Sequence, residues 1–186
     1  MEQQSGLRFG HLGFYVHDIE RQAAFYKDYL GFTETDRGLL AGEQGPVQLV
    51  FLSRDPDEHH QIVMAAGRPA QIDFNVINQI SLRADSLQTL KDCYQRLQNA
   101  PVTELSPVTH GNAISLYFKD PEGNRIELYV NTAWYVSQPC RISAPIDLPT
   151  DELMAWAERH ARTLPGFCSR SEWRQKMVRL MGLESS

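Results

Sequence analysis

The alternation of apolar and polar residues near the amino terminus predicts a strand over His11–His17. Leu12, Phe14 and Val16 share one face, and His11, Gly13, Tyr15 and His17 share the other. A helical pattern follows, from Asp18 to Leu30. The same order recurs 68 residues later, with a strand over Gln79–Asp85 and a helix from Ser86 to Asn99. At that offset Leu12 matches Ile80, Phe14 matches Leu82, Val16 matches Ala84, Ile19 matches Leu87 and Tyr26 matches Tyr94. Identity is slight, but the apolar register agrees, which points to two copies of one structural unit.

Each copy continues with three strand signals. In the first half these span Phe32–Leu40, Val47–Ser53 and His60–Ala66, punctuated by Gly42, Gly45-Pro46 and Asp55-Pro56. In the second half they span Val102–Thr109, Ala113–Lys119 and Arg125–Val130, with turns at His110-Gly-Asn and Asp120-Pro-Glu-Gly-Asn124. The fold class is therefore α+β, two β-α-β-β-β modules at about 7–67 and 76–131 within a domain of residues 1–131. Residues 132–186 form a helical extension, expected to pack on the domain or on a dimer partner. Pro139, Pro145 and Pro149 make its start irregular. One helix is expected from Thr150 to Leu164, and another from Ser169 or Ser171 to Met181.

In the second half, Ser115, Tyr117 and Lys119 lie opposite Ile114, Leu116 and Phe118. Arg125, Glu127 and Tyr129 lie opposite Ile126, Leu128 and Val130. One face of each strand can cover a helix. The other collects His11, Tyr15, His17, Tyr117, Glu127 and Tyr129, where a solvated face would favour Lys, Thr and Glu. That mixture suits a pocket with metal ligands or acid–base groups.

Composition narrows the functional classes. The chain has 186 residues, 42% of them hydrophobic and 22% charged, which is ordinary globular usage. Net charge is −5, and no basic stripe marks a nucleic-acid binder. No apolar run approaches the roughly 20 residues that cross a bilayer, so no membrane association is expected. Met1–Gly10 lacks a secretory pattern, so a cytoplasmic location is expected. Cys93, Cys140 and Cys168 are scattered, which argues against a disulfide framework and against zinc held by thiolates.

Two segments carry a family likeness. They are Gly10-His-Leu-Gly-Phe-Tyr-Val-His-Asp-Ile-Glu with Phe25-Tyr-Lys-Asp-Tyr-Leu-Gly-Phe32, and the run from His110 through Asp120-Pro-Glu-Gly-Asn124 to Tyr129. Over residues 7 to 131 the chain resembles the vicinal oxygen chelate superfamily of glyoxalases, bleomycin resistance proteins and extradiol dioxygenases. That resemblance implies a curled mixed sheet around a cleft. Asp57-Glu-His-His-Gln-Ile-Val63 and the His110, Tyr117, Glu127 series look most like the extradiol ring-cleavage enzymes. The resemblance then implies a metal site of His11, residue 79 and Glu127, with open positions for a catechol and dioxygen. Residue 79 is Gln where the family pattern has His. Gln79 offers a carbonyl oxygen, so Fe(II) is favoured by the resemblance while Zn, Ni or Mn are compatible. His60, His110 and Tyr117 become the candidate catalytic groups, and a small aromatic diol, dioxygen and a homodimer partner the expected partners.

Plainer readings stand beside these. His60 could be a loop residue, with His59 on the opposite face or in solvent. Tyr117 could be a pocket wall, and Arg83 could be an ion-pair partner for Glu127. His17 and Asp18 read as strand exit and helix N-cap. Two functions compete with ring cleavage. A glyoxalase- or epimerase-like enzyme would favour a Glu on the last strand of the first half, where Ile62 or Gln61 stands. A non-catalytic binding protein, similar to the antibiotic-sequestering members, would tolerate Gln79.

Overall fold

The computed structural model describes residues 9–42, 45–72 and 74–182. Most of Met1–Gly10, the segment read for a leader, lies outside them. The chain divides into two units. One holds the first half together with residues 119–124, and the other holds residues 79–118 and everything from 125 onward.

The first-half unit runs β1 (Leu12–Val16), α1 (Ile19–Leu30), β2 (Thr33–Gly42), β3 (Gly45–Ser53) and β4 (Ile62–Ala66). Its sheet has the order β1-β4-β3-β2. β1 lies parallel to β4, and the other pairs are antiparallel. Asp18 caps α1 by accepting from Arg21 N at 3.0 Å. Gly31 ends the helix at φ 70, a left-handed conformation glycine adopts without a Cβ clash. α1 buries Ile19, Ala23, Phe25, Tyr26 and Leu30, and the sheet contributes Val16, Val50, Leu52, Ile62 and Met64 to the same core.

The Asp120–Asn124 turn belongs to this unit. Asp120 is 3% exposed. Its Oδ1 accepts from the backbone N–H groups of Glu122 and Asn124, and its Oδ2 from the Asn124 and Gln22 amides. Burial nevertheless pushes its carboxyl above the ordinary range. Glu122 accepts from His17 N and Asp18 N, tying the turn to the start of α1.

The second-half unit runs β5 (Ile80–Arg83), α2 (Leu87–Leu97), β6 (Thr103–Thr109), β7 (Ala113–Lys119), β8 (Arg125–Asn131), β9 (Trp134–Tyr135), β10 (Ile142–Ser143), α3 (Thr150–Ala161), β11 (Cys168–Ser169) and α4 (Arg170–Leu180). The main sheet has the order β10-β6-β7-β8-β5, and β9 pairs with β11 in a separate ribbon. β5 lies parallel to β8, as β1 does to β4. The core combines Leu90 and Leu97 of α2 with Ile114, Leu116, Ile126 and the extension's Leu153, Ala157 and Ala161.

The extension departs from the sequence expectation. Its irregular start contains β9 and β10, strands of two residues each. α3 ends at Ala161 rather than Leu164, and α4 begins with a capping box between Ser169 and Glu172. The extension is anchored in this unit. Lys91 donates to Leu148 O, and Trp134 Nε1 donates to Gly111 O at 2.6 Å. Gly111 has φ +77, and a Cβ there would overlap the Val136 side chain, so the turn after His110 requires glycine.

Candidate metal and substrate site

The second-half unit is organised around one carboxylate. The parallel pairing sets Ser81 across from Glu127. Glu127 is 8% exposed, and a buried carboxylate is costly unless hydrogen-bonded. Its Oε1 accepts from Ser115 Oγ at 2.9 Å and Tyr117 Oη at 2.8 Å. Its Oε2 accepts from Ser81 Oγ at 2.6 Å and Gln79 Nε2 at 3.0 Å. Four neutral donors thus serve both oxygens. Arg83, the alternative partner, makes none of these bonds; it is exposed and pairs in register with Tyr129.

His110 extends the network. Its Nδ1 lies 2.7 Å from Cys140 O, and a carbonyl can only accept, so Nδ1 carries a proton. Its Nε2 lies 3.1 Å from Tyr117 Oη and 3.7 Å from Glu127 Oε1. Burial, and then the Glu127 hydrogen bond, push Tyr117 up to about 12, so its phenol keeps its proton. The phenol proton can point to Glu127 Oε1 or to His110 Nε2. Arg141 lies over the Tyr117 ring, 4.9 Å from its centroid.

These groups open into a cavity of about 370 Å³. Its walls include His110, Tyr117 and Glu127, with Tyr135, Arg170 and Trp173 from the extension. Sequence reasoning missed the extension's contribution altogether. Ser81 and Ser115 stood on the polar face by parity, but serine on a strand suits solvent equally well, so neither gained a role.

The other candidates lie in the first-half unit. The His11 and His60 rings are 4.3 Å apart at 55°. His59 Nδ1 is 2.9 Å from His60 Nδ1, and Phe51 packs against both rings. Desolvation, then the neighbouring His11 and His59, lower the His60 pKa. The strand expected to begin at His60 begins at Ile62. Ile62 and Met64 face the core, whereas His60 sits in the preceding turn against His11. Parity with the strand therefore does not describe it. His59 is largely exposed, as expected, yet bonds to its neighbour. The register also refines one comparison. Gly13 pairs with Val63 as Ser81 pairs with Glu127, so Val63, not Ile62 or Gln61, is the first-half counterpart of the carboxylate.

The donor chemistry of the second-half pair suits a divalent ion. Gln79 donates through Nε2 to Glu127 Oε2 at 3.0 Å, and its amide oxygen and the carboxylate are oxygen donors of the kind that would hold a divalent ion. Among the described residues no group of three or more His, Cys, Asp or Glu side chains is placed to hold an ion. No helix among the described residues is long and apolar enough to cross a membrane.

Two β-α-β-β-β units, each with its first strand parallel to its last, make a fold of the vicinal oxygen chelate type. Residues 8–128 match the model of the Glyoxalase/Bleomycin resistance protein/Dioxygenase superfamily, and the chain belongs to that family. Two curated relatives come from Rhodococcus globerulus. Biphenyl-2,3-diol 1,2-dioxygenase 2 is 30% identical over 87 residues, which is 45% of either protein. Biphenyl-2,3-diol 1,2-dioxygenase 3 is 31% identical over 88 residues, 45% of this chain and 46% of that one. The match therefore spans about half the length of these relatives. Among solved structures, the fosfomycin resistance protein FosX from Listeria monocytogenes, complexed with Mn(II) and sulfate, is similar in fold. Its TM-score is 0.53 at 20% identity, covering 70% of this chain and 95% of that one. FosX from Mesorhizobium loti gives 0.52 at 18% identity, covering 70% and 94%.

Proposed function

We propose that this protein is an extradiol-type dioxygenase that cleaves a small catechol-type aromatic diol with dioxygen. His11, Gln79 and Glu127 would hold a divalent ion, Fe(II) before Zn, Ni or Mn, and His60, His110 and Tyr117 would act on the substrate. The observation that carries this reading is the His110–Tyr117–Glu127 chain opening into a cavity with aromatic walls. When bound, the ion would draw the two substrate oxygens together and lower their pKa values.

The chain's own residues supply the rest. Tyr117 keeps its proton at neutral pH and donates a hydrogen bond toward the carboxylate end of the cavity. His110, fixed through Nδ1 by Cys140 O, presents Nε2 as the group that gives or takes a proton beside it. Desolvation, then the neighbouring His11 and His59, lower the His60 pKa, and this ring would meet a substrate hydroxyl. Tyr135 and Trp173 provide flat apolar surface for a ring.

Non-catalytic binding is the second reading, and one observation favours it. The four donors already satisfy Glu127 with neutral partners. An oxygen electrode separates the two. Fe(II)-loaded protein given catechol, 3-methylcatechol or 2,3-dihydroxybiphenyl should consume one dioxygen per diol and yield a yellow ring-opened product. Diol binding without oxygen uptake would leave the binding reading.

A further inference from the structure

The family match stops at residue 128, yet the cavity does not. Tyr135, Gln138, Arg170 and Trp173 of the extension line it. Pairing of Cys168 with Tyr135 and of Ser169 with Trp134 brings the start of α4 beside β9. Arg170 N then donates to Ala133 O at 2.9 Å. Trp173 lies one turn along α4 and stacks on Tyr135 at 5.4 Å and 18°. Trp134, next in the ribbon, is bolted to the turn after His110 through Gly111 O. The wall is therefore tied to the same backbone that positions the His110–Tyr117 pair.

Arg170 is the only part of this wall with a full charge. Its guanidinium lies 5.8 Å from the Trp173 ring centroid, and the residue is half-buried. Among the described residues it makes no ion pair, whereas Arg37 and Arg162 each have a carboxylate partner. Glu127, the acidic group in the cavity, is already occupied by its four donors. A partly desolvated guanidinium without a counter-ion presents a planar fork of donors that fits a carboxylate. The aromatic ring beside it limits the positions the fork can take.

We infer that Arg170, with Trp173 and Tyr135, forms an anion subsite of the cavity, and that the ligand is an aromatic ring bearing a carboxylate substituent. The inference rests on the proposed function only in taking that ring to be a diol. The extension thus sets specificity: it selects acidic aromatic ligands over neutral ones of the same size.

Isothermal titration with three probes tests it: catechol, 3,4-dihydroxybenzoate and benzoate, against the wild-type chain, Arg170→Gln and Arg170→Lys. Circular dichroism confirms that each variant folds. In the wild type, 3,4-dihydroxybenzoate should bind about tenfold more tightly than catechol. Arg170→Gln should reduce that ratio to about one, and Arg170→Lys should retain part of it. Equal affinities in the wild type, or a preference that survives Arg170→Gln, overturns the subsite. Oxygen uptake by the Fe(II)-loaded wild type on catechol reports on the dioxygenase reading separately. An Arg170-dependent preference for benzoate and 3,4-dihydroxybenzoate without oxygen uptake upholds the subsite and sinks ring cleavage. Oxygen uptake with no such preference does the reverse.

Discussion

The two halves share one backbone plan and differ in what it carries. In each, the first strand lies parallel to the last, and the pairs Gly13–Val63 and Ser81–Glu127 occupy the same place. The second half fills that place with a carboxylate and its surrounding donors. The first half fills it with a glycine facing a valine, with Phe51 across from Val63 on β3. Its polar chemistry is displaced to the strand entry, where His11 meets His60 and His59. Repetition supplies the scaffold twice, and the side chains on one polar face decide which copy carries the caged carboxylate.

The largest effect should come from breaking the half that carries the carboxylate. Glu127→Gln keeps the shape but removes the charge, and the proposed ring cleavage should fall by at least about 100-fold. Val63→Ala, at the matching place in the other half, should change the rate by less than about threefold, since no donor there acts on substrate. Comparable losses in steady-state oxygen uptake for both variants would erase the distinction between the halves.

Stability sharpens the contrast from the other side. Asp120→Ala leaves the Gln22 amide and the Glu122 and Asn124 N–H groups without their acceptor. Urea unfolding should show a loss of about 2–4 kcal/mol. A change under about 0.5 kcal/mol would mean the turn does not anchor the first-half unit. Ser115→Ala removes one donor from Glu127 and should weaken metal binding about tenfold with little effect on folding.

The smallest effect concerns pH. Arg37, and to a lesser degree Lys27, hold the Glu34 carboxyl down to about 2 from its ordinary value of 4.5. A depressed carboxyl stabilises the folded state above the unfolded value and loses that contribution as pH falls from about 4.5 to about 2. Glu34 lies near the surface, where salt weakens the effect. Glu34→Gln should therefore flatten the acid limb of a thermal-denaturation profile only slightly. An unaltered slope between pH 5 and 2 would count against this ion pair.

Much of the fold was legible because alternation with period two survives in each long strand. The apolar register at the 68-residue offset exposed the repeat. Asp18 acts as the helix cap its position suggested, and the helix expected from Ser86 is capped by that residue. The two-residue strands β9, β10 and β11 were not legible, since two residues have no period. The part of the cavity wall beside β9 and β11 depends on Cys168 meeting Tyr135, a pairing that no local pattern encodes. The candidate site was half-legible. Tyr117 and Glu127 shared a parity, and His110 stood on the adjoining turn. The serine donors and the reliance on Cys140 O were invisible, because a small hydroxyl or a backbone carbonyl carries no sequence signature of its role.

Equilibrium dialysis against Fe(II) under anaerobic conditions tests the central claim most directly. Wild-type protein should take up one ion per chain, and Glu127→Ala and His11→Ala should each lose it, while circular dichroism stays unchanged. A wild-type chain that binds no Fe(II), or variants that bind it as tightly as the wild type, would contradict the account.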